Sequence, residues 1–196
     1  MTVRPACGQD AGAIAGVHVE TWQAAYAGLL PQGVLDGLSQ RRQTRRWRRA
    51  IHNPEGELGQ VFVADADGIA GFGSANRGTG EITTLYVRPE AQRRGIGRLL
   101  FVRMAEFLDG PVSLWVLDGN LAAGFYARLG GRPGIHATVE RWGLKLGRTQ
   151  YCWPNAHSRM DFYRWTCRAW KPPVGEPAPP NLFRHPVRRA PAPDRR

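Results

Sequence analysis

No stretch of this 196-residue chain is apolar for long enough to cross a bilayer, so a membrane-spanning helix is not expected. The start, MTVRPACGQD, lacks the apolar core of a secretory signal, which leads to the expectation of a cytoplasmic protein. Cysteine is scarce. Cys7, Cys152 and Cys167 form an odd set without C-x-x-C spacing, arguing against a disulfide framework and against a zinc site, so no metal is expected. Acidic residues are also short, 16 against 27 lysines and arginines, for a net charge of +11. That balance favours an anionic ligand or nucleic acid and says nothing about fold.

What is present is a globular composition, 42% hydrophobic, in a length that suits one domain with a real core and an appendage rather than two domains. The basic excess is unevenly spread. Residues 154–196 carry nine of the 15 prolines and one of the 24 glycines, with nine basic residues against three acidic ones. More than half of the net charge therefore sits in a segment whose composition gives little to bury. The expected organisation is a domain over residues 1–153 and a basic, proline-rich, largely disordered tail over residues 154–196.

Hydrophobic periodicity orders the domain. Thr2 to Pro5 reads as a strand and Ala11 to Ala27 as an amphipathic helix with Asp10 as N-cap, ended by Gly28 and Pro31. Glu20, Trp22 and Tyr26 on this helix are candidates to line a pocket; a core tryptophan and a solvated glutamate are the plainer alternatives. Ser39 is placed to cap a second helix to about His52, with Leu38, Trp47 and Ile51 inward. Six arginines between Arg41 and Arg49 point outward, as a solvated face or as a surface for a nucleotide phosphate, an acidic partner or nucleic acid. Gln60–Ala64, Ile69–Arg77 and Glu81–Arg88 form an antiparallel meander whose first hairpin turns at Asp67-Gly68. A helix after Gly97 ends at Asp109-Gly110-Pro111. Val112 to Leu117 is a near-continuous apolar run, as in a strand covered on both faces. Asp118-Gly119-Asn120 turns into a helix from Leu121 to Leu129, and two last strands, Ala137–Leu146 and Thr149–Trp153, are placed around Gly147.

The stretch LYVRPEAQRRGIGRLL, Leu85 to Leu100, concentrates the chemistry. A strand stops at Pro89, a polar arm follows, and Gln92-Arg93-Arg94-Gly95-Ile96-Gly97-Arg98 opens an apolar helix. Two glycines let backbone amides crowd a ligand, the helix start gathers unpaired N–H groups at the positive end of its dipole, and Arg93 and Arg94 add charge. This is the chemistry of a phosphate cradle. It lacks the third glycine of a dinucleotide fingerprint and the Lys-Ser/Thr of a P-loop.

Taken together, the chain to about Trp153 resembles the GNAT superfamily of acyl-CoA-dependent N-acyltransferases. Gln92, Gly95 and Gly97 meet that family's Q/R-x-x-G-x-G/A signature between a strand and a helix. Asn120 with Phe125-Tyr126-x-x-Leu129-Gly130 resembles its second patch, and the first helix with Trp22, Tyr26, Gly28 and Pro31 looks like a common bacterial subgroup. Gly131 departs from the pattern, standing where the family usually has an aromatic, which implies looser packing behind Tyr126.

The resemblance implies an α/β fold of mixed α+β sheet type, a central sheet flanked by helices, and direct transfer of an acetyl group from acetyl-CoA to a primary amine. It implies that the cradle, Gln92 to Arg98, holds the cosubstrate diphosphate, that backbone groups of Leu85, Tyr86 and Val87 hold pantetheine, and that Asn120 anchors pantetheine or simply caps a helix. Glu81, at the start of the strand leading into the cradle, is the candidate base, with Glu20 or an ordered water as alternatives and a solvated strand-edge carboxylate as the plainer reading; Tyr126 is the expected proton donor to the leaving thiolate, or else a core aromatic. Glu20, Trp22 and Tyr26 are placed on the acceptor side. The acceptor is a small-molecule or protein amine. The competing class is a non-catalytic acyl-CoA or nucleic-acid binder; nucleic acid is disfavoured but left open through the tail, as is a homodimer.

Overall fold

The computed structural model describes residues 1–154; the expectations for the tail and for Cys167 lie outside the described residues. Seven strands form one mixed sheet: β1 (Thr2–Pro5), β2 (Gln60–Asp65), β3 (Ile69–Asn76), β4 (Glu81–Val87), β5 (Val112–Leu117), β6 (Arg132–Arg141) and β7 (Leu144–Trp153). Their order is β1-β2-β3-β4-β5-β7-β6. All pairings are antiparallel except β4 with β5, whose parallel contact requires the crossover that the arm and α4 (Ile96–Leu108) supply. Helices α1 (Ala11–Ala25), α2 (Gln32–Asp36) and α3 (Gln40–His52) precede the meander, and α5 (Ala122–Arg128) follows β5.

The alternation of each strand sorts its side chains into two layers. Ile14, Val17, Trp47, Val61, Val63 and Phe72 bury the α1 and α3 side; Trp47 packs edge-on to Phe72 with ring centroids 4.8 Å apart. Phe62, Ala64, Ile82, Leu100, Phe101, Met104, Leu114 and Val116 bury the side of α4 and α5. Strand β5 contributes to both layers and is almost wholly buried, as its apolar run predicts.

Asp10 holds the N-cap position of α1 as expected, but its side chain makes no cap hydrogen bond to that helix. Asp10 itself has helical backbone angles and sits at the end of a 3-10 turn, Gly8–Asp10, that runs into α1. Its carboxylate instead accepts the Cys7 N–H at 2.8 Å and a fork from Arg4 at 2.8 and 3.0 Å; Arg4 also pairs with Asp65 at 3.0 Å. The cap at Ser39 is as expected, its hydroxyl accepting from the Arg42 N–H. Of the α3 arginines, Arg46 is not fully outward: it is half-buried and its cation lies 5.8 Å from the Trp47 ring.

The last two strands turn earlier than expected, at Trp142-Gly143, both with positive φ as in a type I′ hairpin. Gly147 lies inside β7, where a Cβ would collide with the Asp118 carboxylate. Packing behind Tyr126 is also closed rather than loose. Trp153 fills the space above Gly131, where any Cβ would overlap its ring, and donates its indole N–H to the Leu129 carbonyl at 2.9 Å. A tryptophan held in this way contributes on the order of 3–5 kcal/mol relative to alanine.

Arg4 holds the Asp10 carboxyl down to about 2 from its ordinary 3.8. A depressed native pKa gives stability that is complete above about pH 4 and lost as the pH falls through 2. With Arg4 partly exposed, Asp10→Asn is expected to cost about 1–2 kcal/mol at pH 7. Urea unfolding across this range should show the difference from the native protein shrinking toward pH 2; a constant difference contradicts the pairing.

Candidate active site

The site is built where the sheet opens. Strands β4 and β5 meet in one register pair, Glu81 beside Ser113, braced by the Ser113 N–H donating to the Gly80 carbonyl at 2.9 Å. Beyond that pair the two strands separate. A bulge contributes: Ala75 of β3 pairs with Ile82 but Ser74 pairs with Thr84, leaving Thr83 extra. The Thr83 hydroxyl donates to the Leu58 carbonyl at 2.8 Å, and the Ser74 hydroxyl lies 2.7 Å from both Thr83 and Thr84 oxygens, pinning the distortion.

The arm stands at the far end of this parting. Arg93 and Gly95 have φ of 63° and 82°, left-handed geometry that turns successive N–H groups to one side. Nothing lies within 4 Å of where a Gly95 Cβ would stand. The bond from the Leu99 N–H to the Gly95 carbonyl is the first of α4, so the amides of Ile96, Gly97 and Arg98 have no acceptor within the helix. Arg93, Arg94 and Arg98 are exposed and make no ion pair among the described residues. These features fit a diphosphate. Gly97 allows a close approach instead: its Cβ would come 3.2 Å from Phe125, so α5 seats directly on the first turn of α4.

Individual side chains divide between framework and cleft. The Gln92 amide donates to the Val87 carbonyl at 3.1 Å, tying the arm to the end of β4, and Ile96 is buried in the core, which leaves its backbone N–H to the cradle. Leu85 and Val87 pack on the α4 side, whereas Tyr86 faces α1, stacked on His18 at 5.6 Å. Asn120 accepts the Ala122 N–H at 2.8 Å, one residue ahead of the α5 N-cap Leu121, and its side chain also faces the Tyr26 hydroxyl.

The structure brings Tyr26, Tyr86 and Tyr126 together. Tyr126 belongs to the α4 and α5 layer and Tyr86 to the other, and the two are near enough to interact electrostatically. Burial raises the pKa of all three phenols, foremost by desolvation. Trp22 is a core residue, 4.9 Å ring to ring from Tyr26 and with its indole beside the Tyr86 hydroxyl; it backs the cleft rather than lining it openly.

Glu20 is exposed and pairs with Arg88, the residue that follows β4, at 2.8 Å. Glu81 is 4% exposed and lies on the α1 and α3 side, paired in register with Asn76 of β3.

Two residues that sequence reasoning missed share this side of the sheet. Arg148 of β7, paired in register with Leu117, extends its guanidinium over the Trp115 ring at 4.2 Å and interacts with Glu81. Gln150 pairs with Trp115 two residues on. The signal was available: Leu146, Arg148, Gln150 and Cys152 form one phase of β7, and polar residues in a phase that begins and ends apolar are buried polar residues.

Comparison with known proteins agrees with this geometry. Residues 57–130 match the family model of the acetyltransferase (GNAT) domain. The chain is 30% identical over 167 residues to the uncharacterized N-acetyltransferase YuaI of Bacillus subtilis (strain 168), covering 79% of this chain and 94% of that one. A GCN5-related N-acetyltransferase from Rhodopseudomonas palustris superposes with a TM-score of 0.61 at 21% identity, covering 78% of this chain and 94% of that chain. The paiA N-acetyltransferase from Thermoplasma acidophilum, in complex with coenzyme A, gives 0.58 at 18% identity, with 76% and 98% covered. The yncA protein of Salmonella typhimurium, with its cofactor acetyl-CoA, gives 0.56 at 18%, with 81% and 95% covered.

Proposed function

Because the chain belongs to the GNAT acetyltransferase family, we propose that it moves the acetyl group of acetyl-CoA to a primary amine by direct attack in a ternary complex. The observation that carries this reading is the parting of β4 from β5 just past Glu81 and Ser113, opening onto an arm of unpaired helix amides and three exposed arginines. Such an arm suits a diphosphate, and the gap between strands suits the narrow pantetheine chain that follows it. The coenzyme A and acetyl-CoA bound by the paiA and yncA proteins support the same assignment. The acceptor is a small-molecule or protein amine.

The chemistry sets requirements that the residues meet. An alkylammonium with a pKa near 10.4 must give up a proton at pH 7 at a cost of about 4–5 kcal/mol before its nitrogen can attack the thioester carbonyl. Glu81, buried on the acceptor side of the sheet, is the base in this reading. Backbone N–H groups of Leu85 to Val87 that face the gap rather than β3 hold pantetheine and the developing oxyanion. Tyr126 is the donor to the departing sulfur in this reading: its O–H hydrogen-bonds the thiolate as the C–S bond breaks, and any proton it passes on is regained from solvent as the thiol leaves. Gln92 acts on the cosubstrate indirectly, by fixing the arm to Val87, while Arg93, Arg94, Arg98 and the amides of Gly95 to Arg98 take the diphosphate. Tyr26 and Asn120 complete the wall between the thioester and the acceptor.

Three substitutions test these roles. Gly95→Glu puts bulk and negative charge on the diphosphate and should weaken acetyl-CoA binding roughly a hundredfold by calorimetry; unchanged affinity removes the cradle from the site. Tyr126→Phe should lower kcat roughly a hundredfold with KM nearly constant, and full activity would leave Tyr126 a packing residue. Glu81→Gln should abolish the acidic limb of the pH–rate profile, whereas an unmoved profile puts the base elsewhere.

A further inference from the structure

Arg148 and Gln150 are costly residues to bury where they are. Arg148 is 4% exposed and Gln150 7%, and among the described residues neither the Arg148 Nε donor nor the Gln150 Oε1 acceptor has a hydrogen-bond partner. A buried guanidinium without a hydrogen-bonded anion pays a desolvation cost that the Trp115 face, at 4.2 Å, only partly offsets. No carboxylate among the described residues lies within ion-pair distance of it; Glu81 acts on it at longer range, and Arg141 adds like charge. The pair sits on β7 beside Trp115 and Leu117 of β5, on the side of the sheet that carries Glu81 and Tyr86. Leu117 in turn packs under Trp22, Tyr26 and Leu30, so the α1–α2 connection roofs this region.

An arginine with a planar guanidinium, a hydrophobic wall and no carboxylate within ion-pair distance among the described residues is suited to a carboxylate brought by a ligand. Glu81 nearby needs an ammonium to deprotonate, and the Gln150 oxygen can accept one of its N–H groups. We propose that the acceptor is an amine that also carries a carboxylate, of the free amino-acid class, with Arg148 binding the carboxylate and Gln150 an ammonium N–H. The inference rests on the acetyl-transfer reading above and narrows its acceptor.

The test pairs several amino acids with their carboxamides and follows thiol release from acetyl-CoA. The native protein should favour the acids. Arg148→Met should bring the acid-to-amide ratio of kcat/KM down by roughly ten- to a hundredfold, the loss of one charge-assisted contact. Arg148→Lys should keep part of the preference. Calorimetric binding of acetyl-CoA to each variant serves as the check on folding. The proposal is overturned if the native protein uses amides as well as acids, if Arg148→Met keeps the ratio, or if acid and amide rates fall together, which would make Arg148 a partner of Glu81 only. If acetyl-CoA binds and no amine turns over, the transfer reading fails separately. In that case, calorimetric binding of amino acids to the coenzyme A complex that Arg148→Met abolishes still supports the carboxylate site, and absence of binding overturns it.

Discussion

The proposed site depends on a sheet that is held together at one end of β4 and β5 and apart at the other. Parallel strands pair evenly unless something interrupts them. Here the pairing stops after Glu81 and Ser113, and the interruption is built into β4 by the extra residue Thr83 and its hydroxyl bond to Leu58. The sheet gives up backbone pairing at its centre, where buried N–H and C=O groups otherwise demand partners. A ligand with amides of its own can supply those partners, which is why a structural cost at this position reads as a binding site.

The two layers on either side of the sheet have different tasks around that gap. On the α4 and α5 side, Gly97 admits Phe125 and Trp153 closes over Gly131, so Tyr126 is held by aromatic packing on several sides: Phe125 at 5.1 Å and Tyr151 and Trp153 at 6.2 Å. On the α1 side, Trp22, Tyr26 and Tyr86 form a second aromatic layer, reaching Trp142 of the last hairpin at 6.4 Å edge to face. The gap thus lies between two aromatic layers, and on the α1 side the Tyr26 hydroxyl meets both Tyr86 and Asn120. Close packing of this kind favours orientation of reacting groups.

Much of this was legible in the sequence because it is local. The strand ending before Pro89, the glycine arm, the apolar run of β5 and the turn into the Asn120 to Tyr126 segment each carry their own signal within a few residues. Long-range pairings do not. The ion pair of Glu20 with Arg88, 68 residues on, has no local signal. The short helix α2 has no periodicity long enough to detect, and the last hairpin was set around Gly147 because glycine marks turns more often than Trp142-Gly143 does. Gly147 is small for a different reason: the Asp118 side chain stands against it. Arg148 and Gln150 were hidden by that error, since misplacing the turn loses the strand phase that reveals them as buried.

In the proposed reading, acetyl-CoA lies along the arm and into the gap between β4 and β5. Amide hydrogen exchange with and without saturating acetyl-CoA measures this at the backbone itself. Binding as described slows exchange at Ile96, Gly97 and Arg98 and along Leu85 to Val87, and leaves the outer strands β1 and β6 unchanged. Saturation of the protein with no added protection at these amides would contradict it.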